Sequence, residues 1–270
     1  MKFLLPFKTV LFISSIGFLS ACDQSSDITQ QKSEPNTTAN VSVSEKKANF
    51  FAYLNPLIIK ANADVLLQRE ELLDIQANST SLDSDQSESL TSLLKTYRVD
   101  NKLSVDQKIQ ALMIKVNTIP AALVLAQAAN ESAWGTSRFA KEGNNFFGQW
   151  CFSKGCGIVP NSRNSGANHE VASFDKPFDS VKSYIRNLNS HPTYALLRTL
   201  RQQAIDNNQA VSGEVLAQGL IGYSERGEEY VKEIQSMIRY NKLSRFDTPN
   251  TPVMENSSSE QSSLSNTGKG

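Results

Sequence analysis

Apolar residues recur at helical spacing over most of the 270-residue chain, which predicts a mainly α protein. Between Asn49 and Ala77 the stripe runs through Phe50, Phe51, Leu54, Leu57 and Ile58, then Val65, Leu66, Leu72, Leu73 and Ile75. Pro56 interrupts or bends it. After a polar connection from Asn78 to Asp85, Leu90, Leu93, Leu94 and Tyr97 mark a second helix, and Val105, Ile109, Leu112, Met113 and Val116 a third from Ser104 to Val116. The stretch Ile119-Pro120-Ala121-Ala122-Leu123-Val124-Leu125 is apolar on almost every face, so its helix is expected inside the molecule. Pro120 suits its first turn and Gly135 its end. Residues 143–175 change character: Gly and Asn are frequent, apolar runs are short, and Phe146–Phe152 with Asn168–Phe174 read as a β-hairpin. Helical stripes then return at Phe178, Val181, Tyr184, Ile185 and Leu188, at Tyr194, Leu197 and Leu200, and at Tyr230, Ile234, Met237 and Ile238.

Both ends lack this pattern. Residues 23–48 are rich in Ser, Thr, Asn, Gln and Lys and hold too little apolar surface to order themselves, as does the stretch from Thr248 onward. Ahead of them, Lys2 and Lys8 precede the apolar run Val10–Leu19, which has the form of a secretory signal and is too short for an ordinary spanning helix. Leu19-Ser20-Ala21-Cys22 resembles the lipobox of bacterial lipoproteins, in which the signal is removed before the Cys and lipid is attached to it. The organisation read from the chain is a signal at 1–21, a lipidated tether at 22–48, an N-terminal helical region at 49–103, the principal domain at 104–247 and a disordered tail at 248–270. Lipid on Cys22 implies a membrane-anchored protein of the cell envelope, on the periplasmic face. Asp23 resembles an inner-membrane retention signal.

Candidate chemistry gathers at the end of the buried helix. Gln127 and Glu131 lie four residues apart and share a face, with Trp134 one turn on. A carboxylate there is costly unless it is paired or opens into a cleft, and partial burial raises its pKa, as a general acid needs. Net charge is zero, with 27 basic and 27 acidic residues, which argues against a nucleic-acid partner. With Cys22 lipidated, Cys151 and Cys156 remain, and in an oxidising compartment they are candidates for a disulfide across a short loop. Neither they nor His169 and His191 have a metal-ligand spacing, so no metal is expected. Tyr230 reads as a core residue on the last apolar stripe.

The stretch Leu125-Ala126-Gln127-Ala128-Ala129-Asn130-Glu131-Ser132-Ala133-Trp134-Gly135, followed by Ser137-Arg138-Phe139-Ala140 and Asn144-Asn145-Phe146-Phe147-Gly148, resembles the bacterial glucosaminidase family, which cuts the glycan strands of peptidoglycan. Gly148-Gln149-Trp150-Cys151-Phe152, Gly155-Cys156-Gly157 and Tyr223-Ser224-Glu225-Arg226-Gly227 are similar to its Bax-like branch. The resemblance covers residues 105–245. It implies a lysozyme-like helical domain of α+β type, with a small β-hairpin lining the cleft and Glu131 as the acid. The second carboxylate would sit on the hairpin, for which Glu170 is the candidate, thirty-nine residues downstream, with Asp175 and Asp179 as rivals. Asp175 also fits a helix N-cap before Lys176-Pro177. Tyr223 matches a family Tyr that faces the active site. Trp150 and Phe147 offer rings for stacking on sugar, and Gln149, Asn144 and Asn145 offer amides; Gln127 and Trp134 are further substrate-binding candidates, with Trp134 expected mostly buried beside Glu131. The implied activity is an endo-β-N-acetylglucosaminidase acting on peptidoglycan without a cofactor, by an inverting or a substrate-assisted route. A lytic transglycosylase and a non-catalytic glycan-binding module are the alternatives. Nothing in the chain sets an oligomeric state.

Overall fold

The computed structural model describes residues 42–247, apart from 162, 164, 165 and 167. The signal segment, Cys22, Asp23, the tether as far as residue 41 and the tail from 248 lie outside the described residues. The first helix, α1 (Val43–Ala77), starts inside the stretch assigned to the tether, because Ser42 accepts the Glu45 N–H at 3.1 Å and caps it there. Pro56 lies within this helix without ending it. The buried stripe Phe50, Phe51, Leu54, Ile58, Ala61 and Val65 continues on both sides of the proline, so packing holds the helix across the lost hydrogen bond.

Helices α2 (Ser84–Thr96) and α3 (Val105–Lys115) each begin with a reciprocal capping box, Asp83 with Gln86 and Ser104 with Gln107. The central helix α4 (Ala121–Glu131) is buried from Ala121 through Ala129. Each of its fully buried Leu and Val side chains contributes roughly 1.5–3 kcal/mol relative to exposure. Its entry is held from two distant places. Pro120 supplies no side-chain cap, and Asp247 provides one instead, its Oδ1 accepting the Ala122 N–H at 2.8 Å. The buried guanidinium of Arg201 donates to the carbonyls of Ile114 (2.8 Å) and Thr118 (3.0 Å) and to Asn189 Oδ1 (2.7 Å), which fastens the turn between α3 and α4.

A short helix, α5 (Arg138–Gly143), leads to three strands: β1 (Trp150–Cys151), β2 (Gly157–Ile158) and β3 (Glu170–Ala172). The expected pairing of 146–152 with 168–174 is present as β1 with β3, and β2 joins the other edge of β3 to give an antiparallel sheet of order β1-β3-β2. Trp150 faces Val171 and Cys151 faces Glu170 on one edge of β3, and Gly157 faces Ala172 on the other. β2 runs in the same direction as β1 on the opposite edge of β3, and the Cys151–Cys156 disulfide, with Cα atoms 6.2 Å apart, closes the loop between them. Gly157 is required there, since an added Cβ would fall 2.0 Å from the Val171 carbonyl oxygen.

The remaining helices are α6 (Pro177–Ser190), α7 (Ala195–Asp206), α8 (Gly213–Leu216) and α9 (Glu228–Tyr240), with 3₁₀ turns at Pro192–Tyr194, Ala217–Leu220 and Leu243–Phe246. The N-cap of α6 is Lys176, which makes no side-chain cap bond, so the cap reading of Asp175 is corrected. Pro177 instead pre-sets the first turn. Around α4 pack α1, α8, α9 and the last 3₁₀ turn, while α1 also covers α6. The result is a mainly α body with a small sheet attached between α5 and α6.

Candidate active site

The chain leaves α4 through an unusual turn. Ala133, Trp134 and Gly135 have φ of 49°, 60° and 76°, three left-handed residues in succession. Such conformations persist only where surroundings over-determine them. Here Ser132 does so, its Oγ donating to the Ala128 carbonyl at 2.6 Å and accepting the Gly135 N–H at 2.7 Å. Asn130 and Glu131, on the last turn of α4, are half-buried, in contrast to the buried run Ala121–Ala129.

Glu131 meets α9 and the loop before β1. Tyr230 donates to its Oε1 at 2.7 Å, and the Asn130 side chain also hydrogen-bonds it. Its other oxygen, Oε2, lies toward Gly148, where an added Cβ would come within 3.7 Å. Burial raises the Glu131 pKa most, the bonds from Tyr230 and Asn130 pull it partly back, and the charge of Glu233 pushes it up again. A carboxyl whose pKa is raised in this way suits a general acid.

A wall of aromatic rings stands beside it. Tyr223 stacks on Tyr230 with centroids 5.3 Å apart, and Tyr184 stacks on Phe147 at 4.0 Å. Tyr194 lies 6.2 Å from Tyr223. Burial raises the pKa of all four tyrosines, that of Tyr194 to about 12, so each is a neutral phenol. Tyr223 donates to the Phe147 carbonyl at 2.7 Å and so holds the Gly148 loop against the Glu131 side.

The family model described as mannosyl-glycoprotein endo-beta-N-acetylglucosaminidase matches residues 106–243, from the start of α3 to the last 3₁₀ turn. The chain belongs to the glucosaminidase family. It is a glycosidase-type enzyme. Protein bax of Escherichia coli (strain K12) is 29% identical over 215 residues, which are 79% of this chain and 76% of that protein. The catalytic domain of the autolysin Auto from Listeria monocytogenes is 19% identical, with a TM-score of 0.37, over 67% of this chain and 87% of that one.

Of the residues expected to meet substrate, several have other tasks in the fold. Gln127 is 0% exposed and cannot reach a ligand; its Nε2 donates to Tyr230 at 2.9 Å and its Oε1 accepts from Tyr184. Trp134 turns onto α1, with its ring 5.7 Å from Phe50 and 5.4 Å from Phe51 and the Lys47 ammonium over its face at 4.7 Å. Trp134 is thus partly buried and packs its ring on α1. Asn145 is 1% exposed, and both ends of its amide are engaged. It donates to the Gln149 and Ala172 carbonyls and accepts from the Phe147 and Gln149 N–H groups, which shapes the Gly148 loop and ties it to β3. Asn144 likewise donates to the Phe174 carbonyl at 2.8 Å. The Gln149 side chain donates to the Ser180 carbonyl at 2.9 Å and fastens the same loop to α6.

Trp150 fits the stacking role best. It is 60% exposed, and one face of its ring lies on His169 at 4.3 Å. Phe147, by contrast, is buried against Tyr184. Glu170 faces inward at 5% exposure, its two oxygens accepting the N–H groups of Gly155 (3.0 Å) and Gly157 (2.9 Å). These bonds hold its carboxyl below the usual range. Asp175 is exposed, and Asp179 sits in the first turn of α6, where its charge suits the helix N-terminus. Cys151, Cys156 and Glu170 place three possible ligand atoms within 4.8 Å of one another. Both sulfurs are in the disulfide, so the group offers a single carboxylate and no thiolate.

The residue that sequence reasoning missed is Tyr230. It lies on the apolar stripe of α9 and is buried, as a core residue would be, yet its hydroxyl reaches Glu131. The one available signal is that a tyrosine, with a polar tip, occupies a position where Leu or Phe would fill the same space.

Proposed function

We propose that the protein is a β-N-acetylglucosaminidase that cleaves peptidoglycan glycan strands after N-acetylglucosamine, with Glu131 as the general acid. The observation that carries this reading is Glu131 itself: a half-buried carboxyl with a raised pKa, one oxygen bonded to Tyr230 and the other turned toward the Gly148 loop. Protonation of the glycosidic oxygen by Glu131 expels the leaving sugar and leaves positive charge on the remaining one. In this reading Tyr223, stacked on Tyr230, lines the site on that side, and the exposed Trp150 ring offers a stacking surface for a sugar.

A second group must meet the positive sugar centre. Glu170, with both oxygens on backbone N–H groups, has a supporting role in this reading, and the acetamido group of the substrate acts in its place. The same observation favours a second reading, a lytic transglycosylase, which also needs one acid. The location proposed is the periplasmic face of the envelope, with lipid on Cys22 as the anchor and the inner membrane favoured by Asp23.

The test is product analysis by mass spectrometry on purified sacculi, with Glu131→Gln alongside. Products with reducing N-acetylglucosamine ends are expected. Anhydro-muramic ends would assign the transglycosylase route, and full activity in Glu131→Gln would remove Glu131 as the acid.

A further inference from the structure

The hydrogen bonds around Glu131 run in one direction. The Tyr184 hydroxyl donates to Gln127 Oε1, which orients the amide so that Nε2 points at Tyr230. Gln127 Nε2 then donates to the Tyr230 oxygen at 2.9 Å. A phenol has one proton. With its oxygen already accepting, that proton is directed at Glu131 Oε1, 2.7 Å away. Gln127 and Tyr184 are fully buried, and Tyr230 nearly so, so no competing water partner is at hand along this line.

We propose that Tyr230 is a positioning residue that dictates which oxygen of Glu131 carries the transferable proton. Oε1 is kept as an acceptor, so the acid proton resides on Oε2, the oxygen turned toward Gly148 and the loop that leads to Trp150. Gly148 has φ of +61°, and its missing side chain keeps a Cβ from standing 3.7 Å from Oε2. Gln127 and Tyr184 act one and two steps further back by orienting the Tyr230 hydroxyl. The inference rests on Glu131 acting as the acid and adds the address of its proton.

The ionisable groups facing Glu131 are Tyr230 and Glu233 from α9, Tyr223 from the loop before it, Tyr184 from α6 and Tyr194 from the 3₁₀ turn after α6. The phenols are all neutral, and Glu233 is paired with Arg226 at 2.6 Å. The bond from Tyr230 stabilises the ionised form of Glu131, so its removal must raise the Glu131 pKa.

The experiment compares the full chain with Tyr230→Phe and Gln127→Met on purified sacculi. It follows kcat and KM across pH, with a melting curve for each protein. In Tyr230→Phe the ring keeps its stack on Tyr223, and the hydroxyl alone is lost. Its kcat is expected to fall by roughly tenfold with KM little changed, and the basic limb of the kcat profile to move up by about one pH unit, the size of one hydrogen bond to a charged group. Gln127→Met leaves the Tyr230 hydroxyl in place but unoriented, so a smaller shift in the same direction is expected. An unmoved limb in both variants overturns the proposal. So does a downward shift, which would mean that protonated Glu131 donates to Tyr230 instead. If Tyr230→Phe fails to fold, Gln127→Met decides on the same criteria. A dead Glu131→Gln with a wild-type profile in Tyr230→Phe refutes only this inference, whereas an active Glu131→Gln refutes the general-acid reading beneath it.

Discussion

At the scale of single residues, two carboxyl groups behave in opposite ways. The pKa of Glu131 is raised by burial, so its protonated form is favoured by folding. The associated stability is present at pH values below its unfolded pKa and is lost as pH rises through the folded one. Glu131→Gln, which mimics the protonated form, is therefore expected to melt at the same temperature as the parent at acid pH and at the same or a higher one at neutral pH. Its turnover should drop by about 100-fold or more, the usual lower range for general acid catalysis. Parallel melting and turnover measurements check both halves. Glu170 is depressed instead, by the N–H groups of Gly155 and Gly157. Its contribution is present above the unfolded carboxylate pKa and disappears as pH falls through the folded value. Glu170→Gln should thus be less stable than the parent at pH 7 and approach it in acid, with a loss of turnover smaller than that of Glu131→Gln. A melting gap that is constant with pH would contradict the bonding assigned to Glu170.

At the scale of elements, the sheet is a small structure held by few bonds, and the site depends on it through Asn145 and Gln149. Two-residue strands carry little stability of their own. The Cys151–Cys156 link closes a loop with a sequence separation of 5, for which loop-closure entropy predicts roughly 2 kcal/mol. Replacing both cysteines with Ala should lower the melting temperature modestly and speed amide exchange in β1–β3 while leaving the helices protected. Loss of helical protection as well would show that the sheet is integral to the core. The helical elements owe their limits to local chemistry, as the capping boxes of α2 and α3 show, whereas α1 crosses Pro56 only because both halves of its stripe pack on the body.

At the scale of the whole molecule, α4 is held at both ends by residues remote in sequence. Asp247 accepts from the Ala122 N–H, and burial lifts its carboxyl pKa to about 6. That is above an ordinary aspartate, near 3.9 in an unfolded chain. Its protonated form is favoured in the fold, so the stability linked to it is complete below about pH 4 and is lost as pH rises through 6. Asp247→Asn should abolish this slope, matching the parent at pH 4 and exceeding it at pH 7. Thermal melts across that window test it, and a parent that grows more stable from pH 4 to 7 relative to the variant would contradict it. The family match begins at residue 106, so α1 and α2 precede the matched region and pack on it. Beyond the described residues, the proposed lipid on Cys22 is tested by Cys22→Ala, which should leave membrane pellets for the soluble fraction. Retention after a high-salt wash would point to another anchor.

The chain by itself determined what depends on neighbours in sequence. The unbroken apolar run of α4 could only be buried, the stripes of α6 and α9 could face only one way, and a carboxylate at the end of such a buried helix made Glu131 the candidate acid. Cys151 and Cys156 were close enough in sequence to be read as a pair. The three-stranded order, the inward turn of Glu170, the packing of Trp134 on α1 and the engagement of Asn145 were decided by the tertiary structure. So was the bond from Tyr230 to Glu131, across 99 residues of chain. The physical reason is common to all of these. A periodic pattern tells which face of an element is buried, but where a hydroxyl or amide at the edge of that face finds its partner is set by how whole helices and strands pack against one another.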